Sequence, residues 1–299
     1  MHESVLLNEC IKYLNLKDDS VIIDCTLGYG GHSSKILERI KGGYLYAFDQ
    51  DIEAINYASK RLSRISSNYE IINKNFKYIS ELGVKVDGIL FDLGVSSPQL
   101  DEDYRGFSYN KDAILDMRMD RTKSFSAKNV VNEYSYERLV DIFRRYGEEK
   151  YSTSIARAIV KRRDEKLIET TLELSEIIKS SVPEKYRKKS HPARKVFQAI
   201  RIEVNDELHV FEEALKSGLN MLKCGGRICM ITFHSLEDRI CKKIFKEVCS
   251  IPSELKDMPI IPKEYMPKYK MIANVRPTDQ EIKENKRARS SRLRVIERV

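Results

Sequence analysis

Short apolar runs alternate with amphipathic stretches along the first hundred residues of the chain. Between the runs, apolar side chains recur with helical spacing, as at Ile52, Ile55 and Leu62. Buried strands that alternate with helices are typical of a parallel sheet that is covered on both faces. The pattern therefore predicts an α/β fold, with helices over residues 32–40 and from residue 52. The predicted strands are residues 21–24, 44–49, 70–73 and 87–92.

The pattern changes after the first hundred residues, since residues 101–205 show mostly helical stretches and no convincing strand. The α/β pattern then returns, with a helical stripe over 208–222 that we expect Gly225 and Gly226 to end. A helix with a capping-box pattern is predicted to begin at Ser235. The remaining predictions are a fifth strand at 227–233, an antiparallel pair of strands at 271–275 and 293–296 at the sheet edge, and a loop at about 252–268.

The simplest architecture is one α/β domain that is interrupted by a helical insertion. A length of 299 residues also suggests about two domains. We predict the first part of the α/β domain at residues 1–100, an all-helical insertion at 101–205, and the second part, with a basic tail, at 206–299.

Composition excludes several classes of protein. Hydrophobic residues make up 41% and charged residues 33%, which argues against bulk disorder. No apolar run approaches the ~20 residues that span a bilayer, and no signal peptide is expected. The six cysteines form no C-x-x-C pair and the five histidines have no metal-ligand spacing. We therefore expect a cytoplasmic protein with no metal ion and no membrane partner.

A glycine-rich turn follows the first predicted strand, between Asp24 and His32. Glycines at such a turn let the backbone approach a ligand closely, and the next helix presents free N–H donors. Asp49 ends the second strand, 19 residues after Gly30, where a carboxylate can accept both hydroxyls of an adenosine ribose. Together these features indicate an adenosine-containing cofactor. The alternative is that both aspartates only cap helices.

Two residues favour S-adenosylmethionine over NAD as that cofactor. Ser33 stands where the dinucleotide fingerprint G-x-G-x-x-G has its third glycine. Asp24 would repel a pyrophosphate, whereas it suits the ammonium of a methionine moiety. Asp92 and Gln99 are predicted to lie near the methyl donor, because ligands of open α/β sheets bind beyond the carboxyl ends of the strands. Phe76 is predicted to pack on the adenine, with an ordinary core position as the alternative.

Long sequence blocks run in order over nearly the whole chain. They are His2 to Leu7, DCTLGYGGHS at 24–33, DGILFDLGVSSPQL at 87–100, RGFS at 105–108, LDMRMD at 115–120, YGEE at 146–149, IARAI at 155–159, HPARKVFQAIRIEVN at 191–205, FHSLEDR at 233–239 and RARSSRL at 287–293. In these blocks the chain resembles the bacterial 16S ribosomal RNA cytosine N4-methyltransferase family, which acts on cytosine 1402 of the small-subunit RNA. Such blocks are far more specific than the glycine turn alone.

The resemblance implies a Rossmann-like S-adenosylmethionine methyltransferase sheet with an inserted all-helical domain for RNA recognition. It implies methyl transfer from S-adenosylmethionine to the exocyclic N4 amine of that cytosine, with 16S rRNA in the small ribosomal subunit as the partner. The cofactor contacts that it implies are Gly30, Gly31, His32, Asp49, Phe76, Asp92 and Gln99.

The acceptor of the amine protons is not assigned by analogy. Other amino-methyltransferases resemble one another in an Asp/Asn/Ser-Pro-Pro-aromatic motif, which does not follow Asp92 here. Asp116 and His234 are the catalytic candidates on the substrate side. The alternatives are a salt bridge between Asp116 and Arg118, and a hydrogen bond from His234 at a helix start.

Positive charge indicates where RNA would bind. The net charge of +8 favours a polyanionic partner, and residues 185–201 hold seven basic and no acidic side chains. Phosphate contacts of this kind supply affinity rather than sequence choice. The alternative is a solvated helical face. The predicted RNA contacts are Lys188, Lys189, Arg194 and Lys195.

Three other functions stay open from the sequence. An NAD-linked oxidoreductase would share the sheet, although Asp24 and the missing third glycine speak against it. A DNA amino-methyltransferase would differ only in its substrate. A non-catalytic ribosome-assembly factor would keep the fold and show no turnover.

Overall fold

A computed structural model describes residues 4–299 of the chain, except residues 96–98, 100–101, 189–190, 253–254, 256–257 and 259–260. The chain divides into two compact units. Unit 1 comprises Met1–Gly94 and Leu208–Val299, and unit 2 comprises Val95–Glu207. The assignment of residues 101–205 as a recognition domain stays a prediction.

Unit 1 is built on a seven-stranded sheet. Its strands are β1 (Val21–Asp24), β2 (Tyr44–Asp49), β3 (Tyr69–Asn73), β4 (Val86–Asp92), β5 (Leu222–Thr232), β6 (Tyr269–Val275) and β7 (Arg292–Arg298). The spatial order is β3-β2-β1-β4-β5-β7-β6, with β1 to β5 parallel and β7 antiparallel to both β5 and β6. The five parallel strands and the late antiparallel pair predicted from the sequence are confirmed.

The strand order reverses its direction between β1 and β4. The chain runs outward from β1 through β2 to β3, and then returns to place β4 on the other side of β1. Such a reversal is the topological switch point of an open α/β sheet, where ligands bind beyond the carboxyl ends of the strands. The Rossmann-like fold class predicted from the sequence is therefore confirmed.

The described residues outside the sheet form mainly helices. In chain order they are α1 (Leu7–Leu14), α2 (Gly31–Leu37), α3 (Ile52–Leu62), α4 (Ala127–Glu133), α5 (Tyr136–Arg145), α6 (Ser152–Glu165), α7 (Thr171–Ser180), α8 (Glu184–Arg187), α9 (Ala193–Asn205), α10 (Glu207–Met221), α11 (Ser235–Cys249) and α12 (Asp279–Glu284). None of these helices is both long and apolar enough to cross a membrane.

Helices cover both faces of the sheet in unit 1. Successive strand residues point to opposite faces, so Ile22 and Ile23 enter different cores. Ile22 packs in a core with residues of α1, α2 and α3, and Ile23 packs in a core with residues of α10 and α11. Because helices pack on both faces, the central strands are buried and their carboxyl ends are fixed in position.

One local prediction in unit 1 is wrong by a few residues. Helix α10 ends at Met221, so Gly225 and Gly226 do not end it. They lie in β5 where the pairing register with β4 shifts, and Gly225 has a φ of 79°. The helix predicted to begin at Ser235 is confirmed as α11, and its capping box is formed by the His234 imidazole and Glu237.

Unit 2 folds around a helical core of its own. Phe143, Ile155 and Ile200 are fully buried there, and an isolated antiparallel bridge joins Ile114 to Thr170. The mostly helical pattern predicted for this part of the chain is confirmed. The side chain of Asn205 links the end of α9 to the segment before α4, since it accepts from the Met119 N–H at 2.8 Å.

Candidate functional site

Three carboxylates end three adjacent parallel strands of unit 1. Asp24 ends β1, Asp49 ends β2 and Asp92 ends β4. Because β1 lies between β2 and β4, the three side chains occupy one edge of the sheet at the switch point. An edge with three carboxyl groups fits a ligand that carries hydroxyl donors and positive charge.

The glycine turn lies between β1 and α2. Its backbone is closed by a hydrogen bond from the Gly30 N–H to the Leu27 carbonyl at 2.8 Å. Gly30 is the N-cap of α2 and adopts a left-handed φ of 74°. A Cβ at Gly31 would collide with the side chain of Ser4, so the N-terminal segment lies directly against the turn. The tight glycine turn predicted from the sequence is therefore present.

We expect Gly30→Ala to lower the free energy of unfolding by about 1–2 kcal/mol, because its left-handed conformation disfavours a Cβ. The new Cβ would also lie 3.4 Å from that of Ala58. Gly83→Ala is the matched control, since Gly83 has a φ of 63° and a Cβ added there would have no other atom within 4 Å. Urea unfolding should show similar losses, whereas only Gly30→Ala should weaken cofactor binding. Equal cofactor affinities in both variants would contradict a role for the turn.

Asp24 is fully buried beneath the glycine turn. Its Oδ2 accepts from the Ser33 hydroxyl at 2.6 Å, and its Oδ1 accepts from the Thr26 N–H at 3.0 Å. Burial raises the pKa of Asp24, and these hydrogen bonds oppose that rise. The hydrogen bond between Ser33 and Asp24 could not be predicted from the sequence. Through it, Ser33 orients the carboxylate at the end of β1.

The Asp49 carboxylate is held by backbone N–H groups from two segments, the turn after β1 and the residues after β2. Its Oδ2 accepts from the Gly28 N–H at 2.8 Å, and its Oδ1 accepts from the Asp51 N–H at 2.9 Å. Burial raises the pKa of Asp49 to about 6, although the backbone donors favour the charged form. The backbone of Gln50 also donates to this carboxylate, whose two oxygens together offer about four lone-pair positions, so acceptor capacity remains for the ribose.

Asp92 is the least satisfied carboxylate of the three. Its Oδ1 is buried and has no hydrogen-bond partner among the described residues. Burial raises the pKa of Asp92 to about 8, and the negative charges of Asp24 and Glu237 contribute in the same direction. An unpaired buried carboxylate oxygen is costly. A ligand with a positive charge or a donor at this position would relieve that cost.

His32 faces Asp92 from the first turn of α2. Its Nε2 lies 3.2 Å from the Val5 carbonyl, so Nε2 carries the proton, and Nδ1 lies 3.6 Å from Oδ2 of Asp92. Burial lowers the pKa of His32 to about 4, which keeps the ring neutral at pH 7. His32 therefore brings no positive charge to Asp92, and nothing in this contact opposes the raised pKa of Asp92.

The N-terminal segment contributes contacts that the sequence did not indicate. Val5 accepts from His32, and the Leu6 N–H donates to Oε1 of Glu281 at 2.7 Å. Leu6 is fully buried and has a left-handed φ of 52°. Thr26 is a further unforeseen residue, because its hydroxyl accepts from the Asp92 N–H at 2.7 Å and joins the ends of β1 and β4.

The two remaining cofactor candidates have different surroundings. Phe76 is half-buried at the start of a short 3₁₀ helix after β3, and its ring meets Phe91 edge-on at 5.9 Å between centroids. The predicted contact with adenine and the alternative core position are both compatible with this location. Gln99 is buried and belongs to unit 2, so its cofactor contact stays a prediction. The neighbouring residues 96–98 lie outside the described part of the chain.

His234 follows β5, whose residue Ile231 pairs with Asp92 in the sheet register. As the N-cap of α11, it accepts at Nδ1 from the Glu237 N–H at 3.4 Å. Its Nε2 lies 3.1 Å from Oε1 of Glu237. The helix-start hydrogen bond weighed as the alternative is therefore present. The catalytic assignment of His234 stays a prediction.

Asp116 forms the salt bridge that the sequence analysis gave as its alternative role. Both of its oxygens accept from the Arg118 guanidinium, at 2.5 and 3.0 Å, and this pairing raises the pKa of Arg118. Arg121 provides a second cation, with its Nε 4.0 Å from Oδ2 of Asp116. Asp116 is thus a buried, paired carboxylate of unit 2, and its catalytic role also stays a prediction.

The predicted RNA contacts are surface residues where the structure describes them. Lys188 forms an exposed ion pair with Glu184 at 2.8 Å, and Lys195 donates to a backbone carbonyl at 2.7 Å. Arg194 is exposed in the first turn of α9. Lys189 lies outside the described residues. The described residues contain no group of three His, Cys, Asp or Glu side chains that could hold a metal ion.

Comparison with known proteins identifies the family. The chain is 51% identical over 306 aligned residues to the ribosomal RNA small subunit methyltransferase H of Exiguobacterium sibiricum, across 100% of this chain and 98% of that protein. A solved putative rRNA-methylase from Clostridium thermocellum is 10% identical with a TM-score of 0.47, over 100% of this chain and 98% of that one. An rRNA methylase from Streptococcus thermophilus is 13% identical with a TM-score of 0.44, over 98% of this chain and 93% of that one. These structural likenesses are too weak to bear on function.

The family model covers the chain from end to end, over residues 1–299, and is described as the MraW methylase family. The relative that is 51% identical also matches over the full length of the chain. The chain belongs to the MraW methylase family.

Proposed function

We propose that the protein transfers a methyl group from S-adenosylmethionine to the exocyclic N4 amine of cytosine 1402 in 16S ribosomal RNA. The observation that carries the proposal is the full-length 51% identity to a ribosomal RNA small subunit methyltransferase H. The set of three carboxylates around the glycine turn supports it, because the set suits an adenosine ligand that also bears positive charge.

The site residues fit this cofactor. When bound, S-adenosylmethionine supplies an electrophilic methyl group on a sulfonium, with a neutral thioether as the leaving group. Asp49 would accept the ribose hydroxyls, and Asp24 and Asp92 would face the positively charged methionine portion. The buried Oδ1 of Asp92, which has no hydrogen-bond partner within the described part of the chain, is the observation that supports a cationic ligand at this edge.

The protein's main contribution to the reaction would be positioning. The lone pair of a cytosine amine is delocalised into the ring, so the amine is a weak nucleophile and needs an in-line approach to the methyl carbon. As the nitrogen–methyl bond forms and the carbon–sulfur bond breaks, the nitrogen must lose a proton. His234 is the better candidate to face that amine, because it follows β5, the strand next to the one that Asp92 ends.

The substrate would be RNA with an accessible base. A cytosine must leave its stack to reach the methyl donor, which favours a single-stranded or loosened region of the small subunit. Basic side chains of unit 2 would then hold the phosphates. An enzyme with this substrate works where small subunits are assembled, so we propose a cytoplasmic location.

The test is methyl transfer from labelled S-adenosylmethionine to small-subunit particles that lack the modification, with free 16S RNA and DNA in parallel. Products are digested to nucleosides and identified by mass. N4-methylcytidine from the particle is the expected result. Labelled DNA alone would support a DNA amino-methyltransferase instead, and cofactor binding without transfer to any substrate would support a non-catalytic assembly factor.

We expect Lys188→Glu combined with Lys189→Glu to weaken RNA binding about ten- to a hundredfold at low salt, because two phosphate contacts become repulsive. The affinity for S-adenosylmethionine should not change. The matched control is Lys216→Glu with Lys223→Glu, since these exposed lysines of unit 1 are paired with carboxylates, as Lys188 is. Filter binding over a salt series measures both effects. Equal losses in both double variants would contradict a local RNA contact.

A further inference from the structure

Tyr29 is the non-glycine residue inside the Gly28–Gly31 turn. Gly28 and Gly30, on either side of it, both have positive φ angles, of 50° and 74°. Such glycines fit the tight turn, but they also leave it many alternative conformations. The turn can therefore present a fixed geometry to a ligand only if neighbouring elements hold it.

Helix α3 holds Tyr29 at two points. The Tyr29 ring stacks on the Tyr57 ring, with 4.3 Å between centroids and 17° between planes. One helical turn further along, the Arg61 guanidinium donates to the Tyr29 carbonyl at 3.4 Å. Positions 57 and 61 are spaced i and i+4, so both contacts come from one face of α3.

The held turn is also connected to the ribose site. Next to Tyr29, the Gly28 N–H donates to Oδ2 of Asp49 at 2.8 Å. The adjacent Leu27 N–H donates to the Phe48 carbonyl at 2.9 Å, which joins the turn to the end of β2. Movement of Tyr29 would therefore disturb the donor that orients the Asp49 carboxylate.

Tyr57 itself adds little to the core of unit 1. Its side chain is 52% exposed, whereas Ala54, Ala58 and Leu62 form the buried face of the same helix. A large aromatic ring left half in water is not explained by packing into the core. Its contact with Tyr29 gives it a role.

We propose that Tyr57 is a positioning residue for the cofactor: through its stack with Tyr29 it pre-orders the glycine turn and, with it, Asp49. The inference rests on the proposed function, since it concerns the same S-adenosylmethionine site. A turn that is already ordered loses less conformational entropy on binding, so the stack increases affinity without touching the reacting atoms.

The experiment compares Tyr57→Ala, Tyr57→Phe and Tyr44→Ala. Tyr44→Ala is the matched control, because Tyr44 forms another aromatic pair, with Tyr46 at 4.9 Å, at the start of β2, away from the carboxylates. Calorimetry with S-adenosylhomocysteine and with adenosine gives Kd. Methyl transfer gives KM and kcat, and thermal unfolding gives Tm.

Tyr57→Ala should raise Kd for both ligands and KM for S-adenosylmethionine by the same factor, about three- to tenfold, the effect expected of one aromatic stack. Its kcat should stay within about twofold of wild type. Tyr57→Phe should retain wild-type values because it keeps the ring, and Tyr44→Ala should leave Kd unchanged.

Three results with the variants would overturn the inference. An unchanged Kd in Tyr57→Ala would show that the stack does not order the site, while the proposed function would stand if wild type still transfers methyl groups. Equal losses of Kd and Tm in Tyr57→Ala and Tyr44→Ala would show a general structural role. A loss of RNA affinity alone would identify the tyrosine pair as a base-stacking surface. Absence of cofactor binding in wild type would instead end the proposed function, and this inference with it.

Discussion

Replacing Asp49 with alanine is expected to weaken S-adenosylmethionine binding at least about a hundredfold. The substitution removes the proposed acceptor of two ribose hydroxyls, and hydrogen bonds to a charged group contribute about 1.5–3 kcal/mol each. It also leaves the N–H groups of Gly28 and Asp51 without the carboxylate that orders them. Asp49→Asn should have an intermediate effect, because the amide keeps one acceptor oxygen. Isothermal titration with S-adenosylmethionine and its product measures the change.

Asp51→Ala is the control for this experiment. Asp51 is a nearby carboxylate that caps α3 by accepting from the Glu53 N–H at 3.1 Å. Loss of that cap should lower the free energy of unfolding by about 1 kcal/mol while cofactor affinity is largely retained. If Asp49→Ala bound the cofactor as well as Asp51→Ala does, the assignment of Asp49 to the ribose would be wrong.

A second large effect is expected from pH. The raised pKa of Asp92, about 8, means that this carboxyl is mostly protonated at pH 6 when no ligand is bound. A cationic ligand prefers the carboxylate, so binding must release the proton at low pH. Affinity for S-adenosylmethionine should therefore rise with pH, by about tenfold per pH unit well below pH 8. The pKa of Asp49 is raised to about 6, so near pH 6 the ionisation of Asp49 makes the affinity rise more steeply with pH.

The groups around Asp92 determine this behaviour. Asp24 and Glu237 add negative charge, and neutral His32 adds none, so nothing in the described surroundings of the carboxyl offsets its burial. The same shift has the opposite consequence for folding. Because the folded pKa lies above the ordinary value, the contribution of Asp92 to stability is largest at low pH and is lost as pH rises through about 8.

Asp92→Asn separates these effects from the titration of the cofactor itself. The ammonium of the free cofactor titrates in the same way whichever protein is present, so the difference between the two affinity profiles reports the group at position 92. The variant should have a flatter affinity profile between pH 6 and pH 8 and a weaker affinity at pH 8.5. Calorimetry in two buffers of different ionisation enthalpy should show about one proton released by wild type at pH 7 and fewer by the variant. Identical proton release would contradict a titrating Asp92.

The sequence predicted the strand ends of this site well. A short apolar run that ends in a carboxylate before a turn is a local pattern, and it identified the ends of β1, β2 and β4. Once those strands are parallel neighbours, their last residues must lie at one edge. The site carboxylates follow from that argument without any knowledge of side-chain contacts.

Contacts between distant parts of the chain could not be predicted from the sequence. The hydrogen bond from Leu6 to Glu281 joins positions that are 275 residues apart, and no periodicity marks either of them. Glycine positions were ambiguous for a related reason. A pair of glycines after a helical stripe is typical of a helix end, but Gly225 and Gly226 lie in β5 instead, where its pairing register with β4 shifts.

The division of unit 1 into two chain segments has a consequence during synthesis. Strand β4 ends at Asp92 and its neighbour β5 begins at Leu222, so the ribosome adds about 130 residues before one side of β4 can be paired. At roughly 5–20 residues per second this takes on the order of ten seconds. Unit 2, which is continuous in sequence, can fold in that interval, while the early half of the sheet keeps an open strand edge that is prone to wrong pairing. A nascent chain of this protein therefore exposes that edge until β5 has been made.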